Sequence, residues 1–277
     1  NEKAIVVKNE MRHINSLTNT TVKALRALHE RKYRRQSGLF LAEGMRIVME
    51  ALDLGWTPKH LAFLDGRQDD PLVAPLIAAA ENASAECLAV SHDVLAKISR
   101  KDNPQAVVAS FNETWTELDQ IISGRGVWVA LDRVRDPGNL GTIMRSIDAA
   151  GDDGVILIGD CTDGFSVEAV RASMGACFNI KLAECSEAEF LAGIPSWQGQ
   201  LIGTSLAASV DYRQANWSSP LIIMMGNEQA GLTDALTAAA KQLIRMPMLG
   251  RSDSLNLAVA TGISLYEYVR HAHPEHK

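Results

Sequence analysis

The chain has 277 residues, of which 47% are hydrophobic and 22% charged, and its formal net charge is −6 at pH 7. This composition allows one or two ordinary cores, and no apolar run approaches the roughly 20 residues that a membrane-spanning helix needs. The four cysteines contain no C-x-x-C pair, and the charged segment Asn1–Arg12 lacks the apolar stretch of a signal peptide. A disulfide framework or zinc knuckle is therefore not expected, and a cytoplasmic protein is.

The first 38 residues are basic although the whole chain is acidic. They contain nine Lys or Arg residues and three acidic residues, whereas the remaining 239 residues contain 18 basic and 30 acidic residues. Apolar residues at helical spacing predict a helix over about Thr20–Tyr33, with Thr20 as its N-cap. Such an arm could bind polyphosphate, or it could be a solvated helix face. The run Arg31-Lys32-Tyr33-Arg34-Arg35 favours RNA, because a tyrosine among arginines can stack on an exposed base.

Residues 39–111 alternate short apolar strands with helical stretches, which predicts a small α/β domain. Its predicted strands are Leu39–Ala42, His60–Leu64, Cys87–Val90 and Ala106–Ser110. Its predicted helices are Glu43–Leu54, Pro71–Ala80 and Asp93–Ile98. Residues 112–125 break the pattern and are predicted to form a helical or loop linker.

Residues 126–277 show a different pattern, in which continuous apolar strands are mostly separated by helical stretches. The predicted strands are Val127–Leu131, Val155–Ile158, Leu201–Thr204, Leu221–Met225 and Leu243–Met246. Strands of this kind predict an α/β domain whose mostly parallel sheet is covered on both faces. Ligands of such sheets bind at the carboxyl ends of the strands, so the loops after these strands are the expected site.

The loop after the first of these strands leads into a helix that carries two notable polar residues. Asn139 is suited to cap this helix. Arg145 lies off the helix's apolar stripe and close to its start, where the helix dipole favours an anion rather than a cation. A phosphate or carboxylate ligand would explain this arginine, and an ordinary surface arginine is the alternative.

A second loop, Gly226-Asn-Glu-Gln-Ala-Gly-Leu232, directly follows the Leu221–Met225 strand. Gly226 would let a ligand approach the backbone closely, and Gly231 would allow tight packing. Glu228 is expected near a helix N-terminus, where a carboxylate is stabilised by only ~0.3–1 kcal/mol. Glu228 could therefore be a functional carboxylate or simply a partner of the helix dipole.

A third loop follows the last strand and contains the sequence Met246-Pro-Met-Leu-Gly-Arg-Ser-Asp-Ser254-Leu-Asn256. The helix after it is predicted to be capped by Asp253 or Ser254. Capping would explain Ser254, but it leaves Asn256 unexplained.

These three loops together resemble the motifs of the SpoU (TrmH-like) branch of the SPOUT RNA methyltransferases. The resemblance covers about residues 125–270 and rests on Asn139…Gly141…Arg145, on Gly226-x-Glu228-x-x-Gly231-Leu232, and on Met246-Pro-Met…Gly250…Ser254-Leu-Asn256. The earlier Phe40-Leu-Ala-Glu43-Gly44 and Asn103-Pro-Gln105 resemble the substrate-binding domain that precedes the catalytic domain in many members.

The resemblance implies a C-terminal trefoil knot, a homodimer, and methylation of a ribose 2′-hydroxyl in structured RNA by S-adenosylmethionine. Large-subunit (23S-type) ribosomal RNA is the favoured substrate, and transfer RNA is the alternative. The implied catalytic set is Arg145, Asn139, Glu228, Ser254 and Asn256. The implied donor-binding set is Thr204, Ser205, Leu206, Gly226, Met246 and Leu255. The implied RNA-binding set is Arg31, Lys32, Arg34, Arg35, Glu43 and Arg46.

Family mechanisms assign the base role to the arginine at the position of Arg145. Arginine scarcely deprotonates in proteins, so binding of the phosphate beside the target ribose and stabilisation of the alkoxide are the roles expected here. Asn139 and Glu228 would orient Arg145 or the ribose, and Ser254 and Asn256 would complete the polar wall. No histidine falls within these motifs.

Other functions are less consistent with the sequence. A nicotinamide-dependent oxidoreductase should show G-x-G-x-x-G after its first strand, and a P-loop NTPase should show G-x-x-x-x-G-K-[ST]; neither motif occurs. A non-catalytic RNA-binding protein on the same fold is the remaining alternative, and the joint presence of all five implied catalytic residues argues against it. The tail histidines His271, His273 and His276 could bind a metal, but a solvated tail is expected.

Overall fold

The computed structural model describes residues 11–273 and divides them into two compact units. Unit 1 contains residues 11–113 together with 165–178, and unit 2 contains residues 114–164 together with 179–273. Lys3 and Lys8 of the predicted basic arm and His276 of the tail lie outside the described residues.

Unit 1 is built on a five-stranded mixed sheet with the strand order β1-β4-β3-β5-β2. Its strands are β1 (Arg12–Ile14), β2 (Leu39–Glu43), β3 (His60–Leu64), β4 (Glu86–Val90) and β5 (Val107–Asn112). Its helices are α1 (Thr20–Ala27), α2 (Arg31–Ser37), α3 (Met45–Asp53), α4 (Ala74–Asn82), α5 (His92–Ser99) and α8 (Val167–Ser173). Strand β5 runs antiparallel to β2 and β3, and the other pairs are parallel. The predicted small α/β pattern is thus present.

The basic N-terminal stretch is part of unit 1 rather than a separate arm. The predicted helix over Thr20–Tyr33 is two helices, α1 and α2, and the N-cap of α1 is Asn19 rather than Thr20. Val22 and Leu25 of α1 are buried in the core of this unit, with 0% and 2% exposure. Burial of this apolar stripe fixes α1 on the sheet.

The predicted linker, residues 112–125, is also more ordered than expected. Strand β5 continues to Asn112, and Trp115 forms a parallel bridge with Leu182. Helix α6 (Leu118–Ser123) then buries Ile121 and Ile122 in the core of unit 2. These apolar contacts make residues 114–125 part of unit 2.

Unit 2 is built on a seven-stranded sheet, in which all pairs are parallel and the strand order is β10-β12-β9-β11-β6-β7-β8. Its strands are β6 (Val127–Asp132), β7 (Gly154–Ile158), β8 (Lys181–Cys185), β9 (Gln200–Thr204), β10 (Val210–Asp211), β11 (Leu221–Met225) and β12 (Gln242–Arg245). Its other helices are α7 (Pro137–Ala150), α9 (Glu187–Gly193), α10 (Asp234–Ala239) and α11 (Leu257–Ala272).

The mixed α/β class with mostly parallel sheets is confirmed, and all five predicted strands of unit 2 occur within one residue of the expected bounds. The two strands without a prediction, β8 and β10, lie at the two edges of the sheet. Edge strands need not be apolar on both faces, so they lack the continuous apolar run that identifies central strands. The trefoil knot stays a prediction from the resemblance. Within residues 11–273, every helix is too short or too polar to cross a bilayer.

Asp152, in the turn between α7 and β7, makes unit 2 sensitive to pH. Burial, reinforced by neighbouring Asp153, raises the pKa of Asp152 to about 7, and its Oδ2 atom is buried without a hydrogen-bond partner. Because the folded pKa lies above the unfolded value, folded Asp152 keeps its proton longer, and stability falls as pH rises from about 4 to about 7.

We therefore expect Asp152→Asn to stabilise the protein at pH 8. The expected gain is about 1–3 kcal/mol, because Asp152 is only partly buried and water reduces the cost of its charge. The gain should shrink steadily towards pH 5 in thermal unfolding scans at matched ionic strength. A gain of the same size at both pH values would contradict ionisation of Asp152 as its cause.

Candidate functional site

The three loops of interest in unit 2 follow strands of one parallel sheet. They therefore emerge at the same end of the sheet, where the carboxyl ends of its strands lie. Two of them, after β11 and β12, line a cavity of about 630 Å³ together with the loop after β9. A cavity of this size is typical of a small-molecule site. The predicted donor-binding residues all line it: Thr204, Ser205, Leu206, Gly226, Met246 and Leu255.

The lining of this cavity suits the expected methyl donor. Apolar surface comes from Met225, Met246 and Leu257, which fits an adenine ring. The charged lining residues are Glu228 and Arg245, which differ in sign, as do the cationic and anionic groups of the donor's amino-acid end. The chemistry of the lining therefore fits S-adenosylmethionine.

Asn227, which the sequence reasoning passed over, closes the loop that follows β11. Its side-chain oxygen accepts hydrogen bonds from the backbone nitrogens of Gln229 and Ala230, both at 3.0 Å. Its Nδ2 donates to the Arg133 carbonyl at 2.9 Å, which ties this loop to the end of β6. An asparagine directly after a strand and glycine is a turn signal that could have identified it.

The two glycines of this loop are both needed for its closure. Gly226 directly precedes the bridge between Asn227 and Gly231, in which Gly231 donates its backbone N–H to the Asn227 carbonyl at 2.9 Å. A Cβ atom at Gly226 would lie 2.2 Å from the Gly231 carbonyl carbon, so Gly226 permits tight packing. Gly226 also lines the cavity, and its role beside a ligand stays a prediction. Gly231 has φ +68°, with open space around it, so it permits the turn rather than the predicted tight packing.

Asp132 and Arg133 form a second tie between the end of β6 and the loop after β11. Arg133 binds the buried Asp132 carboxylate through two hydrogen bonds of 2.8 and 2.9 Å and donates to the Gly231 carbonyl at 3.1 Å. Asp132 also accepts from the Thr233 backbone nitrogen at 3.1 Å. The Asp132 hydrogen bonds raise the pKa of Arg133 further, so this ion pair persists over the physiological range.

Side chains from all three loops meet in one hydrogen-bonded row. Asn139 donates from Nδ2 to the Glu228 carboxylate at 3.2 Å, and Asn256 donates from Nδ2 to the Asn139 Oδ1 atom at 3.0 Å. The expected grouping of Asn139, Glu228 and Asn256 is therefore present in the structure. Glu228 and Asn256 also line the cavity, and so does Ser254, which is exposed.

Two predicted helix caps and one predicted dipole interaction at these loops are wrong. Helix α7 is capped by Asp136, whose Oδ1 accepts from the Asn139 backbone nitrogen, so the Asn139 side chain is not the cap. Helix α11 is capped by Asn256 rather than by Asp253 or Ser254. Glu228 precedes α10 by six residues, and Thr233 caps that helix, so the dipole interpretation of Glu228 does not apply.

Arg145 lies on the exposed side of α7 and is not among the residues that line the cavity. Within residues 11–273 its guanidinium has no hydrogen bond or ion pair. An arginine without an internal partner keeps all five N–H donors for a ligand. This is the state expected of a phosphate-binding arginine.

Four of the predicted RNA-binding residues are exposed on unit 1: Arg31, Lys32, Arg35 and Arg46. Tyr33 is 45% exposed beside them, and the Lys32 ammonium lies 5.9 Å from the centre of its ring. An exposed tyrosine among cations is suited to stacking on a base.

Arg34 and Glu43 cannot make the predicted RNA contacts, because both are buried. Arg34 is 2% exposed, donates to the Leu28 carbonyl at 2.8 Å, and lies 3.9 Å from the buried Glu113 carboxylate. The Glu43 side chain is 1% exposed and is paired with Arg171 at 2.6 Å and Lys101 at 3.2 Å. A buried charge of this kind is retained by its partners and serves the fold of unit 1.

Substitutions of two neighbouring arginines of α2 should therefore have different effects, one on stability and the other on RNA binding. We expect Arg34→Ala to destabilise the protein by about 3–5 kcal/mol, because it leaves the Glu113 carboxylate buried without this cation. Arg35→Ala should leave unfolding unchanged within about 0.5 kcal/mol and should weaken RNA binding in filter-binding assays at low salt. An Arg34→Ala protein with parental stability would contradict the structural role.

Comparisons with known proteins agree with this geometry. Residues 126–266 match the family model described as the SpoU rRNA Methylase family, and residues 19–109 match the MRM3-like substrate binding domain. The chain is 29% identical over 256 residues to the 23S rRNA (guanosine(2553)-2′-O)-methyltransferase RlmP of Bacillus subtilis, covering 92% of this chain and 98% of the relative. It is 31% identical to the 23S rRNA (uridine(2479)-2′-O)-methyltransferase of Streptomyces viridochromogenes, with coverages of 88% and 86%.

Among solved structures, the chain resembles the AdoMet-bound rRNA methyltransferase from Sinorhizobium meliloti. The TM-score is 0.86 and the sequence identity 46%, and the match covers 94% of this chain and 98% of that one. The similarity therefore extends over both units and not only over the sheet that carries the cavity.

Proposed function

Because the chain belongs to the SpoU rRNA methylase family, we propose that it methylates a ribose 2′-hydroxyl of large-subunit ribosomal RNA, with S-adenosylmethionine as donor. The observation that carries this proposal is the row Asn256–Asn139–Glu228, which joins three loops at the edge of a donor-sized cavity. The two curated relatives described above are 23S rRNA 2′-O-methyltransferases, which supports this substrate.

When bound, S-adenosylmethionine supplies an electrophilic methyl group. The cavity residues hold it: Met225, Met246 and Leu257 provide apolar walls, and the loops after β9, β11 and β12 provide backbone groups. Asn139 and Glu228 orient the ribose, so that its 2′-oxygen approaches the methyl group along the line of displacement. Positioning of this kind contributes up to about 7–11 kcal/mol to lowering a barrier.

Arg145 binds the RNA phosphate beside the target ribose and stabilises the negative charge that develops on the 2′-oxygen as the hydroxyl proton passes to water. A guanidinium group has five N–H donors and no acceptor, so it acts as a hydrogen-bond donor and not as a base. A planar fork of donors matches phosphate geometry, which lysine does not provide. Ser254, which lines the cavity, completes its polar wall.

Unit 1 binds the RNA around the methylated nucleotide. Arg31, Lys32, Arg35 and Arg46 contact phosphates, and Tyr33 stacks on an exposed base. The match of residues 19–109 to a substrate-binding domain supports this role. Phosphate contacts give an affinity that decreases steeply with salt.

The active form is a homodimer in the cytoplasm. Large apolar side chains are exposed on α11 and in the loop before it: Leu249, Leu255, Val259 and Tyr266. A second copy that covers them would remove this apolar surface from water. Sedimentation of the purified chain at several concentrations tests the dimer.

The proposed reaction can be tested directly with labelled S-adenosylmethionine. We expect methyl incorporation into ribosomal RNA from cells that lack this protein, and not into RNA from cells that contain it. Nuclease digestion and mass spectrometry should place one methyl group on a ribose. Transfer RNA from the same cells is tested in parallel, and incorporation there alone would replace the ribosomal substrate. Absence of donor binding in calorimetry would contradict the enzymatic function.

A further inference from the structure

The direction of each amide in the row Asn256–Asn139–Glu228 follows from a helix cap. Asn256 caps α11, and its Oδ1 atom accepts from the backbone nitrogens of Ala258 at 2.9 Å and Val259 at 3.3 Å. Backbone N–H groups can only donate, so this end of the Asn256 amide must be its oxygen. Its Nδ2 must therefore point the other way, towards Asn139.

The donors and acceptors of the next two hydrogen bonds, at Asn139 and at Glu228, follow in the same way. The Asn256 Nδ2 atom is a donor, so the Asn139 atom 3.0 Å away is its oxygen. The Asn139 Nδ2 atom then lies 3.2 Å from a Glu228 carboxylate oxygen, to which it donates. A donor at this position fixes the orientation of the carboxylate.

We propose that Asn256 is a positioning residue that fixes the direction of the Asn139 amide and thereby holds the Glu228 carboxylate in the orientation that aims it at the ribose. The inference about catalysis rests on the proposed function. The relay itself, by which we mean the fixed hydrogen-bond directions in the row Asn256–Asn139–Glu228, does not. Asn256 acts through two other side chains, and its contribution does not require contact with the RNA.

The substitution Asn256→Asp keeps the helix cap but removes the hydrogen bond that Asn256 donates to Asn139. An aspartate caps a helix as well as asparagine does, so α11 keeps its N-terminal hydrogen bonds. Its second carboxylate oxygen cannot donate, and Asn139 must turn its amide around to supply a hydrogen. The Asn139 oxygen then faces the Glu228 carboxylate, and two acceptors oppose each other.

Asn19→Asp is a matched control. Asn19 caps α1 with the same geometry, since its Oδ1 accepts from Thr21 N at 2.9 Å and Val22 N at 3.3 Å. Its side chain has no further hydrogen bond within residues 11–273. The control adds the same charge at the same kind of helix position without reversing a relay.

The first readout is thermal unfolding of four proteins: Asn256→Asp, Glu228→Gln, the double variant and Asn19→Asp. We expect Asn256→Asp to lower the midpoint by about 3–6 °C and Asn19→Asp to leave it within about 1 °C. Adding Glu228→Gln should restore at least half of the loss, because the new amide can donate to the reversed Asn139 oxygen. A double variant no more stable than Asn256→Asp would overturn the relay.

The second readout is methyl transfer at pH 7. We expect Asn256→Asp to lower kcat by about 10–100-fold while the KM for the donor changes by less than about threefold, because a misdirected Glu228 no longer orients the ribose. The double variant should recover stability without recovering activity.

The two readouts distinguish failure of the inference from failure of the proposed function. Recovery of the midpoint together with an inactive parent protein would support the relay and contradict the methyltransferase assignment. An active parent with an Asn256→Asp variant of full activity would overturn the catalytic part of the inference.

Discussion

Arg145→Ala should reduce methyl transfer by about 10³-fold or more and leave the affinity for S-adenosylmethionine within about twofold of the parent. The arginine is exposed, does not line the cavity, and has no partner within residues 11–273, so its removal leaves the donor site intact. What is lost is the donor to the phosphate and to the developing oxyanion, and removal of one such donor costs about 10²–10³-fold. Loss of RNA positioning adds to this figure.

The substitution Arg145→Lys tests whether the planar guanidinium group is required or only its positive charge. Lysine keeps the charge but presents a single ammonium group, so we expect it to restore no more than a few per cent of the activity. Arg135→Ala is the matched control, because Arg135 lies in the loop directly before α7, is exposed, and is paired with Asp160 at 2.8 Å. Near-parental turnover by Arg145→Lys would contradict any role that needs the guanidinium geometry.

Gly226→Ala should abolish donor binding, with at least a 100-fold loss of affinity in calorimetry. The new Cβ atom would lie 2.2 Å from both the Gly231 carbonyl carbon and the Leu232 nitrogen, which are backbone atoms that cannot rotate away. The loop after β11 would have to open, and this loop lines the cavity from Asn227 to Leu232. We also expect the protein to be less stable by about 2–4 kcal/mol.

Gly193→Ala is the control for this substitution. Gly193 has helical dihedral angles, and a Cβ atom there would lie at an ordinary 3.4 Å from the Ile122 side chain. We expect unchanged donor affinity and unchanged or slightly higher stability, since alanine favours a helix over glycine. Parental donor affinity of Gly226→Ala would show that the loop tolerates opening and would contradict the packing argument.

The sequence predicts the parallel sheet well, because its central strands are apolar on both faces and are separated by helices. It also predicts that Asn139, Glu228 and Asn256 lie close together, since loops after parallel strands meet at the carboxyl ends of the strands. The edge strand β8 is harder to predict, because Lys181 and Glu184 interrupt its apolar pattern.

Charge and cap patterns are less informative, since one residue type serves several purposes. Arg34 and Arg35 are adjacent in a basic cluster, yet one is buried and the other is exposed. Only the rotation of α2 against the sheet decides between them, and that rotation depends on tertiary packing. Asp136 and Asn139 are both good capping residues, and the choice of Asp136 leaves the Asn139 amide available to the relay.

The discontinuity of unit 1 limits how this protein can be cut or recombined. Residues 165–178 contribute Phe165 and Phe178, whose rings stack against Phe40 with centroids 4.6 and 5.7 Å apart. A fragment that starts at residue 114 would carry these two phenylalanines without Phe40, and a fragment that ends at residue 113 would lack them. Chimaeras that exchange unit 1 between relatives therefore need to move two stretches of chain together, and a swap of the N-terminal stretch alone should yield protein prone to aggregation.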